Sequence, residues 1–348
     1  MADTQIISWN VNGLLDRIKR DSVLRSLKRI GPSIVMLQDT HLLGTKVPFL
    51  GRFGYDRVFH AGFTRGSRGV AILFRWTCAF QALVSRSDSL GRYVAVWGLM
   101  DGTAYNFVCA YVPPQLHSLT FQDLGKLILD LSPGILVVGG DCNAMLNRAM
   151  DSSLGGTSQI PATDSRFRAW TESLGLCDLW RIWNPTLKQY TYTSAAHHTH
   201  SRIDYILMPA TDVHVTVGSR ILPRGISDHS PVVILLGGAG DSRRPMWGLN
   251  AWYLRDEELV KTLRNSIEHY LQDNKDSVTS ARTLWQASKA TMRGTAKTLI
   301  RKQERDKSQH IVDLEAKILG LEMRVGTNDE GTISRQLTID RANLVQSQ

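Results

Sequence analysis

Five short polar clusters hold the residue types that phosphate chemistry needs: Ser8-Trp9-Asn10-Val11-Asn12-Gly13, Gln38-Asp39-Thr40-His41, Gly139-Gly140-Asp141-Cys142-Asn143, Ser201-Arg202-Ile203-Asp204-Tyr205 and Ser227-Asp228-His229-Ser230. Each sits at one end of an apolar run. Carboxylates, amides and a histidine are costly to bury at strand ends unless they serve one another or a metal ion. One metal-assisted phosphate site accounts for all five clusters. Hydrolysing a phosphodiester needs a divalent cation to neutralise the non-bridging oxygens, a group that orients or deprotonates the attacking water, and support for the leaving oxygen. Hard cations such as magnesium take oxygen ligands, so Asp39, with Asn10 beside it, is the first candidate to hold one. Asp141 and Asn143 alternate at the end of a glycine-rich strand and point to one side of the sheet, which suits water activation and phosphate orientation. Asp228 and His229 follow a glycine-containing turn, and Asp204 is placed to fix the imidazole tautomer and favour its charged form. Tyr111, ending its own strand, can donate a phenolic hydrogen bond to the same phosphate.

Taken singly, each cluster has a plainer reading. Asn12-Gly13 is a turn dipeptide, Ser227-Asp228-His229 a helix cap, and Tyr111 before Pro113-Pro114 a packing residue. Taken together, their order, spacing and strand-end placement favour chemistry. Cys142 lies between two site residues, and its preference for burial makes it a core side chain rather than a reactant. His197-His198-Thr199-His200 suggests metal binding, but consecutive strand histidines point apart and no cysteine or carboxylate completes a set. An exposed loop or substrate-facing ridge is expected there.

Strands must carry these clusters to one place. Apolar or β-branched runs at 5–9, 34–37, 69–74, 93–97, 107–111, 135–140, 203–207 and 232–236 read as strands. Stretches 18–30, 120–131 and 165–174 have apolar residues at helical spacing. Strands outnumber helices, so a mixed α/β sandwich is expected, with polar loops at one edge of two packed sheets forming a cleft. A domain over 1–238 is followed by a linker at 239–247, where the stretch from Gly237 to Pro245 is rich in glycine and arginine, then by an all-α extension over 248–348. Helices are expected at 256–272 and 278–302, and Ile311, Leu314, Ile318, Leu321 and Val325 form a seam of about two heptads. That length suits a helical hairpin as well as helix-mediated self-association. The mixed-sign run from Arg301 to Lys307 reads as a solvated helix face.

Composition agrees with a globular enzyme: 348 residues, 43% hydrophobic, and a net charge of +9 that suits a polyanionic partner such as nucleic acid. No run approaches the ~18 to 20 apolar residues that span a bilayer, and Met1-Ala2-Asp3-Thr4-Gln5 lacks the order of a signal peptide. An intracellular protein without a membrane partner is expected. The four cysteines, Cys78, Cys109, Cys142 and Cys177, form no Cys-x-x-Cys pair; they are expected to be reduced, three of them as core fillers.

On these residues, the segment from 4 to about 236 resembles the endonuclease/exonuclease/phosphatase superfamily, which includes exonuclease III, apurinic/apyrimidinic endonucleases and the endonuclease domains of LINE-type retrotransposons. The resemblance implies a four-layer α/β sandwich. It implies a metal site drawn from Asn10, Asp39, Asp141, Asn143, Asp228 and His229, with Asp141, Asn143, His229, Tyr111 and Asp204 catalytic. Thr191 matches a residue lining the DNA-facing cleft, and Asn12, Ser201 and Arg202 are expected to join it in binding substrate. The stretch from Tyr190 to Asp204 is similar to the retrotransposon branch, and Trp247-Gly248-Leu249-Asn250 with Leu254-Arg255-Asp256 resembles the connector to a reverse transcriptase. No Tyr-x-Asp-Asp motif follows, which points to a truncated, degenerate or domesticated product, or a fragment. Tyr192 and Thr193 stand where repair enzymes carry tryptophan, so an abasic preference is not expected; Asp39 stands where the family has glutamate, and Pro114 where it has asparagine. The reading is a Mg2+-dependent DNA endonuclease, with Mn2+ as substitute, that nicks one strand to leave a 3′-hydroxyl and a 5′-phosphate in the nucleus. The rivals are a repair endonuclease or 3′-5′ exonuclease, a phosphatase on inositol lipids or sphingomyelin, and a weak nucleic-acid-binding remnant.

Overall fold

Side chains alternate across a strand, so a run that is apolar at every position must be covered on both faces. That is what the computed structural model shows for residues 4–44, 47–155, 160–194, 199–237, 256–274, 330–347 and scattered positions between 284 and 321, which are the residues it describes. The first sheet has the order β13 (Thr216–Ile221), β14 (Val232–Leu236), β1 (Thr4–Asn10), β2 (Ile34–Gln38), β4 (Val70–Arg75), β3 (Tyr55–Ala61). The second runs β5 (Phe80–Ser87), β6 (Tyr93–Met100), β7 (Thr103–Tyr111), β8 (Ile135–Asp141), β12 (Asp204–Pro209), β9 (Leu176–Asp178). Only β1 with β2 and β7 with β8 pair in parallel, so both sheets are mixed. A separate hairpin pairs β10 (Tyr192–Ser194) with β11 (Thr199–Ser201).

Ile6, Ile34, Met36, Ile72 and Phe74 of the first sheet share one core with Phe107, Cys109, Val137 and Ile206 of the second. The opposite face of the first sheet, through Ile7, Trp9, Val35 and Leu37, packs on Val23, Leu24 and Leu27 of α1 (Arg17–Ile30). On the second sheet, Val108, Val138, Tyr205 and Leu207 pack with Phe121 and Leu124 of α2 (His117–Leu129). Phe167 and Trp170 of a further helix, Ala162–Ser173, join the same cluster. The result is helix, sheet, sheet, helix: the four layers that the sequence implies. Asp16 caps α1 by accepting from the Lys19 amide at 2.7 Å, and Gly31 ends it in the left-handed region at φ 78°. At Gly139 the sheets come so close that a Cβ would stand 2.4 Å from Met36 Sδ, which explains the glycine two residues before Asp141. Cys109 and Cys142 are buried, the partly buried Cys78 packs against the inter-sheet core, and all four cysteines are free.

The chain divides into two compact units, one of 1–243 with 315–346 and one of 244–314. The division assigns 315–346 to the first unit, where the sequence suggests one extension over 248–348. Within the second unit, Leu259 and Leu263 of Glu257–Asn274 pack with Met292, Ala296 and Leu299, in keeping with two helical stretches there. A further helix spans Glu330–Ser347, and Lys317 pairs with its Asp340 at 3.0 Å. The linker at 239–247, the connector-like residues up to Arg255, His197, His198, Ile311, Val325 and all of Arg301 to Lys307 except Lys302 lie outside the described residues. Among the described residues no helix is long and apolar enough to cross a membrane.

Candidate active site

The alternation that fills the inter-sheet core continues to the strand ends, where polar residues replace apolar ones. Ile6, Ser8 and Asn10 follow one another along one face of β1; Cys109 and Tyr111 do so on β7, Val137, Gly139 and Asp141 on β8, and Ile206 and Asp204 on β12. Register completes the gathering, with Asn10 beside Gln38, Tyr111 beside Asp141, and Asp141 beside Asp204. Among the hydrogen bonds that cross between the sheets, two join these polar residues. Asn10 Nδ2 donates to Asp141 Oδ2 at 2.9 Å, and His229 Nδ1 lies 2.8 Å from Asp204 Oδ2.

The supporting contacts fix each group in turn. The Asn143 amide donates to Asp141 Oδ1 at 2.9 Å while its Nδ2 donates to the Val112 carbonyl at 3.0 Å, so Asn143 braces Asp141 at a φ of 45°. Ser227 Oγ donates to the Asn10 carbonyl at 2.8 Å and accepts from the His229 amide at 3.2 Å, tying the loop before β14 to the end of β1. Trp9 Nε1 donates to the His229 carbonyl at 3.0 Å, and the Tyr192 ring lies 4.8 Å from the His229 ring. Asn12 Nδ2 donates to Asp228 Oδ1 at 3.1 Å, and its own amide donates to Asn10 Oδ1 at 2.9 Å. Asp39 Oδ1 stands 3.2 Å from His41 Nε2.

Burial and neighbouring charge set the proton affinities. Burial first, then the charge of Asp204, raises the Asp141 carboxyl to about 7, against the pull of His229, Asn143 and Asn10. Burial works against charge on His229, but Asp204 first and then Asp141 and Asp228 outweigh it, raising the imidazole to about 9. Burial likewise raises Asp39, offset by His41 and His229, and burial followed by the charges of Asp39 and Asp141 raises the Tyr111 hydroxyl. Asp39, Asp228 and His229 thus lie close enough for their charges to act on one another, and those of Asp39 and Asp228 act on Tyr111.

These directions carry a stability prediction. With a folded pKa near 9 against an ordinary 6.5, His229 contributes stability fully present below pH 6.5 and lost as pH climbs through 9. Asp141, raised from 3.8 to about 7, contributes in the same direction: its share is complete below 3.8 and gone above about 7. In EDTA, the urea midpoint should therefore fall between pH 6.5 and 9, and Asp204→Asn should flatten the upper part of the fall. A midpoint that is flat or rises with pH in the wild type would contradict the assignment.

Could these donors hold a cation? Asp141, Asp204 and His229, all buried, bring one donor atom each within 4.8 Å of one another, and Asp204 Oδ1 is buried with no hydrogen-bond partner. Asp39 and Asp228 add carboxylates close enough for their charges to couple. Carboxylate and amide oxygens with one imidazole suit a hard or borderline divalent ion.

Two expected substrate contacts are relocated. The Arg202 guanidinium is 1% exposed: its Nε donates to Asp151 Oδ1 at 2.9 Å, its Nη2 donates to Asp178 Oδ2 at 2.6 Å, and it lies over the Trp180 and Tyr205 rings. It braces the interior and is shut off from solvent. Thr191 is also buried, and its Oγ1 accepts from the amides of Ile203 and Asp204 at 3.1 and 3.2 Å, so it positions Asp204 rather than lining a cleft. Ser201 is partly buried at the end of β11, paired with Tyr192. Asn12 is exposed beside Asp228. The sequence reading assigned no role to Ser227, His41 or Lys19. Ser227 precedes Asp228 directly, which was its one signal. Lys19 Nζ donates to the Asn12 carbonyl; burial lowers its pKa, and Asp228 and Asp39 counter that.

Solved structures share this fold. An AP endonuclease from Leishmania major superposes with a TM-score of 0.56 at 18% identity, over 68% of this chain and 88% of that one. A 3′ phosphatase from Neisseria, bound to a product DNA hairpin, gives 0.55 at 22% identity, over 68% and 100%. In sequence, a transposon TX1 protein of 149 kDa from Xenopus laevis is 25% identical over 332 residues, 93% of this chain. This chain spans a quarter of that relative's length. Residues 7–229, from the first strand to the histidine of the cleft, match the profile of the Endonuclease/Exonuclease/phosphatase family, and the chain belongs to that family.

Proposed function

We propose that this chain is a divalent-metal-dependent DNA endonuclease of retrotransposon type. It nicks one strand at the P–O3′ bond, leaving a 3′-hydroxyl and a 5′-phosphate. The observation that carries this reading is the pair of bonds across the sheets, Asn10 to Asp141 and Asp204 to His229, which holds a carboxylate and an imidazole 4.0 Å apart at the strand ends. Asp141 holds the attacking water and takes its proton; an affinity near 7 suits a general base at neutral pH. His229, kept cationic by Asp204, presents Nε2 to a non-bridging oxygen, and Tyr111 donates to the same phosphate. Asn143 braces Asp141 through its backbone amide, and its Nδ2, which gives one hydrogen to the Val112 carbonyl, gives the other to the phosphate. A bound cation, Mg2+ or in its place Mn2+, would be held by Asp39, Asn10 and Asp228 and would neutralise the phosphate and the leaving oxygen.

DNA as the substrate is supported by the basic charge of +9 and by the kinship with a transposon protein. A DNA substrate makes the nucleus the place of action. The test is conversion of supercoiled plasmid to relaxed circles in Mg2+ against EDTA, with the ends probed by direct polymerase extension. Metal-dependent circles whose nicks extend without pretreatment are expected. Salt-dependent binding without turnover would replace this reading by a nucleic-acid-binding remnant, and strong selectivity for an abasic duplex would replace it by a repair endonuclease.

A further inference from the structure

His41 is not explained by the roles above, although its side chain reaches the cleft. The tripeptide Asp39-Thr40-His41 is held in an unusual conformation, with Asp39 at φ 53° and His41 at φ 60°. Few residues tolerate the left-handed region, and aspartate and histidine are among those that do. Backbone hydrogen bonds clamp the tripeptide from two sides. The amides of Gly13 and Leu14 donate to the carbonyls of Asp39 and Thr40 at 2.7 and 2.8 Å. On the other side, the amides of Thr40 and His41 donate to the carbonyls of Gly69 and Arg68 at 2.9 and 2.6 Å. Thr40 is buried between its neighbours, with Oγ1 3.0 Å from His60 Nε2. The imidazole rests against Gly13, where a Cβ would come within 2.8 Å of His41 Nδ1. Two donor side chains are therefore fixed on one side of a rigid strand end before any ligand arrives.

Their separation is informative. Asp39 Oδ1 and His41 Nε2 are 3.2 Å apart, at the long end of the hydrogen-bond range of about 2.7–3.2 Å, so the two groups hydrogen-bond each other in the absence of an ion. Two ligands about 2.1 Å from one ion and at right angles to each other stand about 3.0 Å apart. Both side chains also keep access to water, with 25% of His41 and 15% of Asp39 exposed, against 7% and 2% for His229 and Asp141. Nε2 faces Asp39 while the Nδ1 edge is turned to the Gly13 backbone, so Nε2 is the nitrogen on the carboxylate's side.

We propose that Asp39 and His41 form a mixed carboxylate–imidazole cation subsite, in which His41 Nε2 is a direct ligand and selects first-row transition ions over Mg2+. The inference rests on the metal-dependent reading of the cleft. Imidazole adds little for Mg2+, which prefers oxygen, and adds affinity for transition ions.

Mn2+ serves as the probe on the full-length chain. Electron spin-echo modulation of bound Mn2+ should show nitrogen-14 coupling that changes to the nitrogen-15 pattern when histidine alone is labelled. His41→Asn, chosen because asparagine accepts the same backbone conformation, should remove the coupling, and His229→Gln should keep it. Mn2+ affinity should fall about tenfold or more in His41→Asn while Mg2+ affinity changes less than about twofold. An unchanged melting temperature in His41→Asn shows that the fold persists; if it drops, the labelled wild type alone decides. Bound Mn2+ without histidine coupling, or coupling that survives in a folded His41→Asn, overturns the proposal. Nitrogen coupling without plasmid nicking would leave the subsite standing and defeat the nuclease reading; nicking without coupling would do the reverse.

Discussion

Asp141→Asn is expected to lower the single-turnover nicking rate by about 10²- to 10⁴-fold, the range over which a positioned general base contributes. The change is isosteric, but both carboxylate oxygens are committed as acceptors, Oδ1 to the Asn143 amide and Oδ2 to Asn10 Nδ2. An amide group at either position opposes a donor to a donor. Asn10 cannot simply turn over in response, because its Oδ1 already accepts from the Asn12 amide. Against this strain stands relief: the buried negative charge that Asp204 and burial resist is gone. In EDTA at pH 8 the variant should therefore melt near the wild-type temperature while nicking collapses. Nicking within tenfold of wild type would remove Asp141 from the role of base.

The second large effect concerns stability. Arg202→Ala is expected to destabilise the chain by about 3–5 kcal/mol, because it leaves buried carboxylates without their partner. Asp151 is fully buried and would keep Arg181 Nη2 at 2.8 Å, whereas Asp178 would lose its 2.6 Å bond and keep its capping bond from the Arg181 amide. The guanidinium also fills the space between Trp180 and Tyr205, so alanine opens a cavity as well. The denaturant midpoint at pH 7 measures the loss. Unchanged stability with weakened DNA binding would return Arg202 to the substrate-facing role that its sequence neighbourhood suggests.

The strands legible in the sequence are the central ones: β1, β2, β4, β6, β7, β8, β12 and β14 are covered on both faces and so read as continuous apolar runs. Those without a signal are β3, β5, β9 and β13, the edges of the two six-stranded sheets, and the three-residue strands β10 and β11 of the separate hairpin. β5, with Gln81, Ser85, Arg86 and Ser87 exposed, has no reason to be apolar throughout. The clustered polar residues are legible because a carboxylate or amide ending an apolar run is expensive without a purpose. Arg202 and Thr191 misled for the same reason. Their chemistry was read, but the sequence gives no sign of whether a polar side chain at such a position turns toward the cleft or inward, which depends on Asp151 and Asp178 far along the chain. His41 carries no signal of its own, because histidine two residues from aspartate is ordinary in sequence, and only the backbone clamp makes the pair unusual.

The two bonds that join Asn10 to Asp141 and His229 to Asp204 have a consequence for how this protein fails. Asn10, Asp39, Asp228 and His229 belong to one sheet and its loops; Tyr111, Asp141, Asn143 and Asp204 belong to the other. Neither half is a working part alone. A sliding of one sheet over the other by less than the width of an atom would separate donor from acceptor while every strand kept its ladder. Chemical competence is thus a vernier on the docking of two otherwise self-sufficient slabs, and it should vanish under mild stress well before spectroscopy sees the strands come apart.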